Sequence, residues 1–139
     1  MLKPSNNECQ LSIRVYYEDT DAGGIVYYAN YLKFFERART EWLRTLDIHQ
    51  HALLQAKVGF VVKRVEMDNI FPAKLDDLLN ISTSIAQLKR ASITFNQTIK
   101  NQHNQIVAKV NAQVVCVTTD TFKPCAFPQL ISGALKRVS

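Results

Sequence analysis

The stretch Asn30-Tyr31-Leu32-Lys33-Phe34-Phe35-Glu36-Arg37-Ala38-Arg39-Thr40-Glu41-Trp42-Leu43-Arg44-Thr45-Leu46 decides the architecture. Tyr31, Phe34, Phe35, Ala38, Trp42 and Leu46 recur at three- and four-residue steps, the spacing that gathers side chains on one face of an α-helix. Lys33, Glu36, Arg37, Arg39, Glu41 and Arg44 fall on its other faces. The pattern predicts an amphipathic helix of about four turns. Asn30 stands where an N-cap belongs, with a side-chain oxygen able to accept an N–H of the first turn, so the helix is expected to begin at residue 30 or 31.

On the N-terminal side, Ile13, Val15 and Tyr17 alternate with Ser12, Arg14 and Tyr16, which reads as a strand running into the turn-rich Glu18-Asp19-Thr20-Asp21-Ala22-Gly23-Gly24. On the C-terminal side, a weaker helical segment over His51 to Ala56 gives way to strands. The first is the valine-rich Phe60 to Met67, and Pro72 lies where it must end or run along an edge. Leu79, Ile81 and Ile85 then share a face against Asn80, Ser82 and Ser84, and Ile93, Phe95 and Ile99 share one against Ser92, Thr94, Asn96 and Thr98. Asn101-Gln102-His103-Asn104 reads as a turn, and Ile106, Ala108, Val110, Ala112, Val114 and Cys116 line one face of a long last strand. Strand, long helix, then four hairpin-spaced strands is an α+β order, an antiparallel sheet covered on one face by the helix. Val107, Val115 and Val117, on the opposite face of the last strand, are candidates for packing in an oligomer.

With 139 residues, 47% hydrophobic and 21% charged, the chain fits a single globular domain over 1–139, and it shows no internal repeat or linker. Met1 to Gln10 is polar and holds no apolar run of a secretory signal, and no stretch approaches the roughly 18 apolar residues of a transmembrane helix, so a cytoplasmic location is expected. Cys9, Cys116 and Cys125 are an odd set without C-x-x-C spacing, suggesting neither a disulfide framework nor zinc. Cys116, inside an apolar strand, reads as a small buried hydrophobe. The net charge of +5 is scattered rather than gathered into an arm or stripe, which argues against nucleic acid and leaves room for a small anionic ligand. Asp19 and Asp21 have no third carboxylate or histidine close by in sequence, so no metal is expected.

The stretch Tyr16-Tyr17-Glu18-Asp19-Thr20-Asp21-Ala22-Gly23-Gly24-Ile25-Val26-Tyr27-Tyr28-Ala29-Asn30-Tyr31, followed by Phe35-Glu36-Arg37-Ala38-Arg39, resembles the signature of the 4-hydroxybenzoyl-CoA thioesterase family. It is most similar to the branch of Tol-Pal-associated acyl-CoA thioesterases. The resemblance covers roughly residues 11 to 130 and implies a hot-dog fold, in which an antiparallel sheet wraps one long helix, with active sites shared between two subunits of a homodimer or homotetramer. It implies hydrolysis of short-chain or aromatic acyl-CoA thioesters, with no cofactor beyond the coenzyme carried by the substrate.

Residue by residue, the resemblance makes Asp21 the catalytic carboxylate, with Asp19 the lesser candidate, and Tyr28 the residue whose backbone N–H polarises the thioester carbonyl. Helix N-termini present unpaired N–H groups and partial positive charge, so a developing oxyanion is stabilised there on physical grounds as well. The Tol-Pal-associated branch usually has histidine at position 28, whereas the hydroxybenzoyl-type enzymes share tyrosine; a backbone donor tolerates either. The family's coenzyme-binding residues after the third strand point to Lys89, Arg90 and Ser92, whose charges and hydroxyl suit phosphate.

Each of these residues also has a plain structural reading. Asp21 before Ala-Gly-Gly suits a turn residue bonding its own backbone. Tyr27 and Tyr31 suit substrate contact and aromatic packing equally. Lys89 and Arg90 suit a solvated turn. The rival functions are action on acyl carrier protein thioesters, as a thioesterase or binding partner docking an acidic carrier, and an inactive adaptor that keeps the fold.

Overall fold

In the computed structural model, which describes residues 7–139, the apolar stripe of the quoted helix becomes the centre of the molecule. Helix α1 spans Asn30–Thr45 and buries Tyr31, Phe34, Phe35, Ala38, Arg39 and Trp42. Phe34 and Phe35 are fully buried, and each such side chain contributes roughly 1.5–3 kcal/mol of transfer free energy. A short helix α2, Gln50–Ala56, follows, and Lys57 in the left-handed conformation ends it.

Five strands form one antiparallel sheet: β1 Glu8–Arg14, β2 Val58–Asn69, β3 Leu78–Leu88, β4 Ser92–Lys100 and β5 Ile106–Thr118. Their order is β1-β3-β4-β5-β2, so the consecutive strands β3, β4 and β5 lie side by side and β2 returns to the far edge beside β5. This is the α+β architecture expected from the element order, a sheet curled over one long helix. The face toward α1 divides into two apolar clusters. One joins Phe34 and Phe35 to Ile13, Leu79, Ile81 and Ile99; the other joins Trp42 to Ile93, Phe95, Val114 and Cys116. No helix among the described residues is long and apolar enough to cross a membrane.

Several expectations are corrected. The strand does not run on to Tyr17: the chain leaves β1 after Arg14 and makes a tight 3-10 turn over Tyr17–Asp19, leaving the Tyr17 ring 83% exposed. Val107 and Val117 are buried rather than available for packing in an oligomer. Val107 lies beneath the segment after β2, whose Ile70 and Phe71 N–H groups both donate to its carbonyl. Val117 pairs with Pro124. A third helix, α3, Gln129–Val138, was not foreseen, and its Ile131, Ala134, Leu135 and Val138 complete the second cluster.

Arg39, expected on an outer face of α1, is instead 8% exposed. Its Nη1 donates to Gln97 Oε1 (2.8 Å), and Gln97 Nε2 donates to the Phe35 carbonyl (3.0 Å) and to Thr83 Oγ1 (2.9 Å). Burial pulls the Arg39 guanidinium below its ordinary pKa, with the charge of Glu36 opposing. Gln97 occupies an inward position of β4 between Phe95 and Ile99, so this polar chain ties α1 to the middle of the sheet.

Candidate active site

The Asp-rich turn folds back on itself just before α1. Asp21 N–H donates to the Ile25 carbonyl (2.9 Å), Gly24 N–H donates to the Asp21 carbonyl (3.0 Å), and Thr20 pairs with Val26 across the base. Gly24 has φ +80°, a conformation that L side chains rarely adopt. The loop is pinned from below: Val26 N–H reaches the Ala73 carbonyl (2.8 Å), and Ile25 pairs with Lys74. Asp77 holds that second segment, accepting from Lys74 N–H (3.0 Å) and Gln102 Nε2 (2.9 Å). Burial alone raises the Asp77 carboxyl, and these hydrogen bonds together with the Lys74 charge hold it below the ordinary value.

The two aspartates of the turn are placed differently. Asp19 is half-buried and engaged in the loop, its Oδ2 accepting from Tyr16 N–H (2.9 Å) and its Oδ1 from Asn30 Nδ2 (3.4 Å). Asp21 is exposed, and only its Oδ1 is engaged, by Gly23 N–H at 2.8 Å. A Cβ at position 23 would stand 3.3 Å from that same oxygen, so glycine lets the loop close on the carboxylate. The second oxygen of Asp21 accepts no hydrogen bond among the described residues.

The entry to α1 differs from the expected cap. Asn30 does not accept with its side-chain oxygen; its amide nitrogen instead reaches back to the Asp19 carbonyl (3.3 Å). The reason lies in the backbone. Asn30, Tyr31 and Leu32 N–H groups donate to the carbonyls of Tyr27, Tyr28 and Ala29, a tight turn that satisfies donors a helix start normally leaves free. Tyr27 N–H donates to the Asp19 carbonyl (3.1 Å), whereas the N–H groups of Tyr28 and Ala29 find no acceptor among the described residues. The free donors are thus moved just ahead of the helix, to the stretch carrying Tyr28. The Tyr27 and Tyr28 rings lie 5.1 Å apart, about half exposed.

Tyr31 is not beside them on the surface. Its ring is in the core, 3% exposed, and its hydroxyl accepts from Ala73 N–H (3.1 Å). Burial pushes the phenol above its ordinary pKa. Of the two readings of Tyr31, substrate contact and packing, the buried ring favours packing, and the same bond helps fix the segment under the Asp21 loop.

Lys89 and Arg90 lie exposed in the β3–β4 turn. They line a cleft of about 420 Å³ whose other wall is α3, with Ser132 and Lys136. Ser92 lies outside this cleft; it starts β4, and its carbonyl closes the turn by accepting from Lys89 N–H (2.8 Å). Lys136 and Ser132 were missed by sequence reasoning, though Ile131, Ala134, Leu135 and Val138 after Pro128 carry a helical signal that would have found α3. No ion pair with a carboxylate engages Lys89, Arg90 or Lys136 among the described residues. The structure does not bring the cleft and Asp21 together within one chain. The Asp21 loop sits at the start of β3 and the cleft at its end, and the eleven residues between extend roughly 30 Å. Among the described residues no group of three His, Cys, Asp or Glu side chains could hold a metal ion.

Comparison with known proteins places this geometry among thioester-cleaving folds. Residues 15–135 match the thioesterase-like superfamily. The acyl-CoA thioesterase YbgC of Haemophilus influenzae is 46% identical over 130 residues, covering 93% of this chain and 95% of that protein. The structure of a 1,4-dihydroxy-2-naphthoyl-CoA thioesterase from Synechocystis superposes with a TM-score of 0.86 at 21% identity, covering 93% of this chain and 96% of that one. A gentisyl-coenzyme A thioesterase superposes at 0.80 with 27% identity, covering 89% and 99%.

Proposed function

The chain belongs to the thioesterase-like superfamily, and from that premise we propose that it hydrolyses short-chain or aromatic acyl-CoA thioesters with Asp21 as its catalytic carboxylate. That it is an acyl-CoA thioesterase follows from relatives as similar as the Haemophilus enzyme. The observation that carries the assignment of roles is the free oxygen of Asp21 in the same turn structure as the unengaged N–H of Tyr28. The N–H stabilises the oxyanion that forms as the thioester carbonyl is attacked. Asp21 either attacks that carbon, giving a mixed anhydride that water then opens, or takes a proton from the attacking water. Both routes end in a carboxylate and free coenzyme A. Tyr27, half exposed beside Tyr28, contacts the acyl portion. The aromatic option draws support from the gentisyl-coenzyme A thioesterase, which is named for an aromatic acyl group.

Lys89 and Arg90, joined by Lys136, hold the phosphates of the coenzyme's nucleotide. Because this cleft lies at the other end of β3, it serves a second subunit's Asp21 more readily than its own. A homodimer or homotetramer supplies that second subunit, and the exposed edge of β2 supports it: Val61, Val62 and Val65 are open to solvent on a twelve-residue edge strand. Light scattering at assay concentration should find at least a dimer; an active monomer would remove the shared site. Residues 1–139 then form one such domain per subunit.

A substrate panel tests the reading as a whole. Matched acyl-CoA and acyl carrier protein thioesters should show CoA esters turned over faster, and Lys89→Ala with Arg90→Ala should raise KM for CoA esters more than it lowers kcat. Preference for the carrier protein would replace the CoA reading, and an unchanged KM would take the two cations out of the site.

A further inference from the structure

Beyond the catalytic loop, the end of β5 carries a second chemistry. The chain turns back on itself there: Val117 pairs with Pro124, Thr118 N–H donates to the Lys123 carbonyl (3.0 Å), and Cys125 N–H donates to the Cys116 carbonyl (2.9 Å). Cys116 and Cys125 therefore face each other across a short antiparallel ladder. Their Sγ atoms are 3.6 Å apart, Cys116 being buried and Cys125 part-buried. Nothing in their spacing along the sequence announces the pair. Cys9 cannot compete for either thiol within the chain, because it sits on β1, which β3 and β4 separate from β5.

We propose that Cys116 and Cys125 form a dithiol–disulfide pair whose closure locks the segment entering α3 onto β5. Bringing the sulfurs from 3.6 Å to a bonded distance of about 2.0 Å needs a movement of side-chain size, with the backbones already bonded to each other. The oxidant is a low-molecular-weight disulfide. The Cys125 thiolate attacks it and one reagent thiolate leaves; the Cys116 thiolate then attacks Cys125 Sγ, and the second reagent thiolate leaves. The two cysteines lose two electrons and two protons, and the reagent becomes two thiols. Cys125 is the entry point because burial, with the neighbouring Cys125 adding to it, pushes the Cys116 thiol up to about 12. Once Cys125 is in the mixed disulfide its contribution is gone, and proximity favours the second attack.

The lock reaches the coenzyme cleft. Phe127, two residues after Cys125, donates its N–H to the Arg90 carbonyl (3.0 Å), and it belongs to the same buried apolar cluster as Ile131 and Leu135 of α3. Fixing Cys125 to β5 thus fixes the strap between the Lys89–Arg90 turn and Lys136.

The test equilibrates the full chain with oxidised glutathione, blocks remaining thiols and cleaves before Asp120, which lies between the two cysteines. The peptides holding Cys116 and Cys125 should stay joined until reductant is added, leaving Cys9 as the blocked thiol. Cys125→Ser, or Cys125→Ala if serine perturbs folding, should abolish the link. Amide exchange within α3 should slow about tenfold on oxidation and recover on reduction. Three blockable thiols at equilibrium, or a link through Cys9, would overturn the pairing; unchanged exchange in a linked protein would overturn the lock.

Discussion

Asp21→Asn should lower kcat for acyl-CoA hydrolysis by about 10²-fold or more, roughly 2.7 kcal/mol of transition-state stabilisation, in a protein that still folds. Asparagine keeps the shape of the side chain and an oxygen to accept from Gly23 N–H, so the loop that Gly24 and the Ile25 carbonyl define is preserved. What is lost is the charge and the second oxygen, needed by either route. Stability should move little, since the carboxylate is exposed and its loop is held mainly by backbone bonds. Tyr28→Phe is the matching control: it retains the N–H and the ring, so activity should stay within about tenfold. Steady-state kinetics on both variants with folding checked by circular dichroism decides the matter. Full activity in the asparagine variant beside an inactive, folded phenylalanine variant would move the chemistry to the tyrosine hydroxyl. Single-turnover hydrolysis in labelled water then separates the routes, because only a nucleophilic Asp21 acquires label.

The largest effect on stability should come from Gln97→Leu, at about 3 kcal/mol or more. The side chains are similar in size, so little cavity is opened, yet the change removes an acceptor from Arg39, a donor from Thr83 Oγ1 and a donor from the Phe35 carbonyl. Buried groups left without partners each cost about 1–3 kcal/mol, and a buried charge costs more. If the loss arises from the stranded guanidinium, Arg39→Met together with Gln97→Leu should recover a good part of it, since an apolar pair leaves no charge to satisfy. Urea unfolding of the two single variants and the double variant measures the coupling. A double variant as unstable as the sum of the singles would show that the polar chain is not the source.

The helix and the strands were legible because their side chains follow simple periods. Tyr31, Phe34, Phe35, Ala38 and Trp42 are buried as the helical spacing predicts, and Leu79, Ile81, Ile93, Phe95 and Ile99 as the two-residue alternation predicts. The same reasoning failed where polarity and burial part company. Arg39 and Gln97 look solvent-facing by type, and the hydrogen-bonded chain from Arg39 through Gln97 to Phe35 and Thr83 lets them be buried. Asn30 has the chemistry of a cap, but whether a cap is needed depends on a turn built by Tyr27, Tyr28 and Ala29, which no side-chain pattern encodes. Tyr27, Tyr28 and Tyr31 are alike in sequence, yet the first two face solvent and the third faces the core, because Tyr31 alone lies on the buried stripe of α1. The distance from Asp21 to Lys89 and Arg90 likewise became visible only through the sheet, where β3 lies between them.

That strand behaves as a ruler with coarse graduations. Adding or removing one residue in β3 would turn Leu79, Ile81 and Thr83 to the opposite face, so its length changes tolerably only in pairs, each pair shifting the Lys89–Arg90 cleft by roughly 6–7 Å relative to the Asp21 loop. In the proposed two-subunit site, a step of that size would carry one subunit's cleft out of register with its partner's Asp21, and a thioester with a fixed number of bonds between reactive carbon and phosphates could not follow it. The residue count of β3, whose last residue Leu88 lines the cleft itself, would thereby set which substrates the proposed site can span.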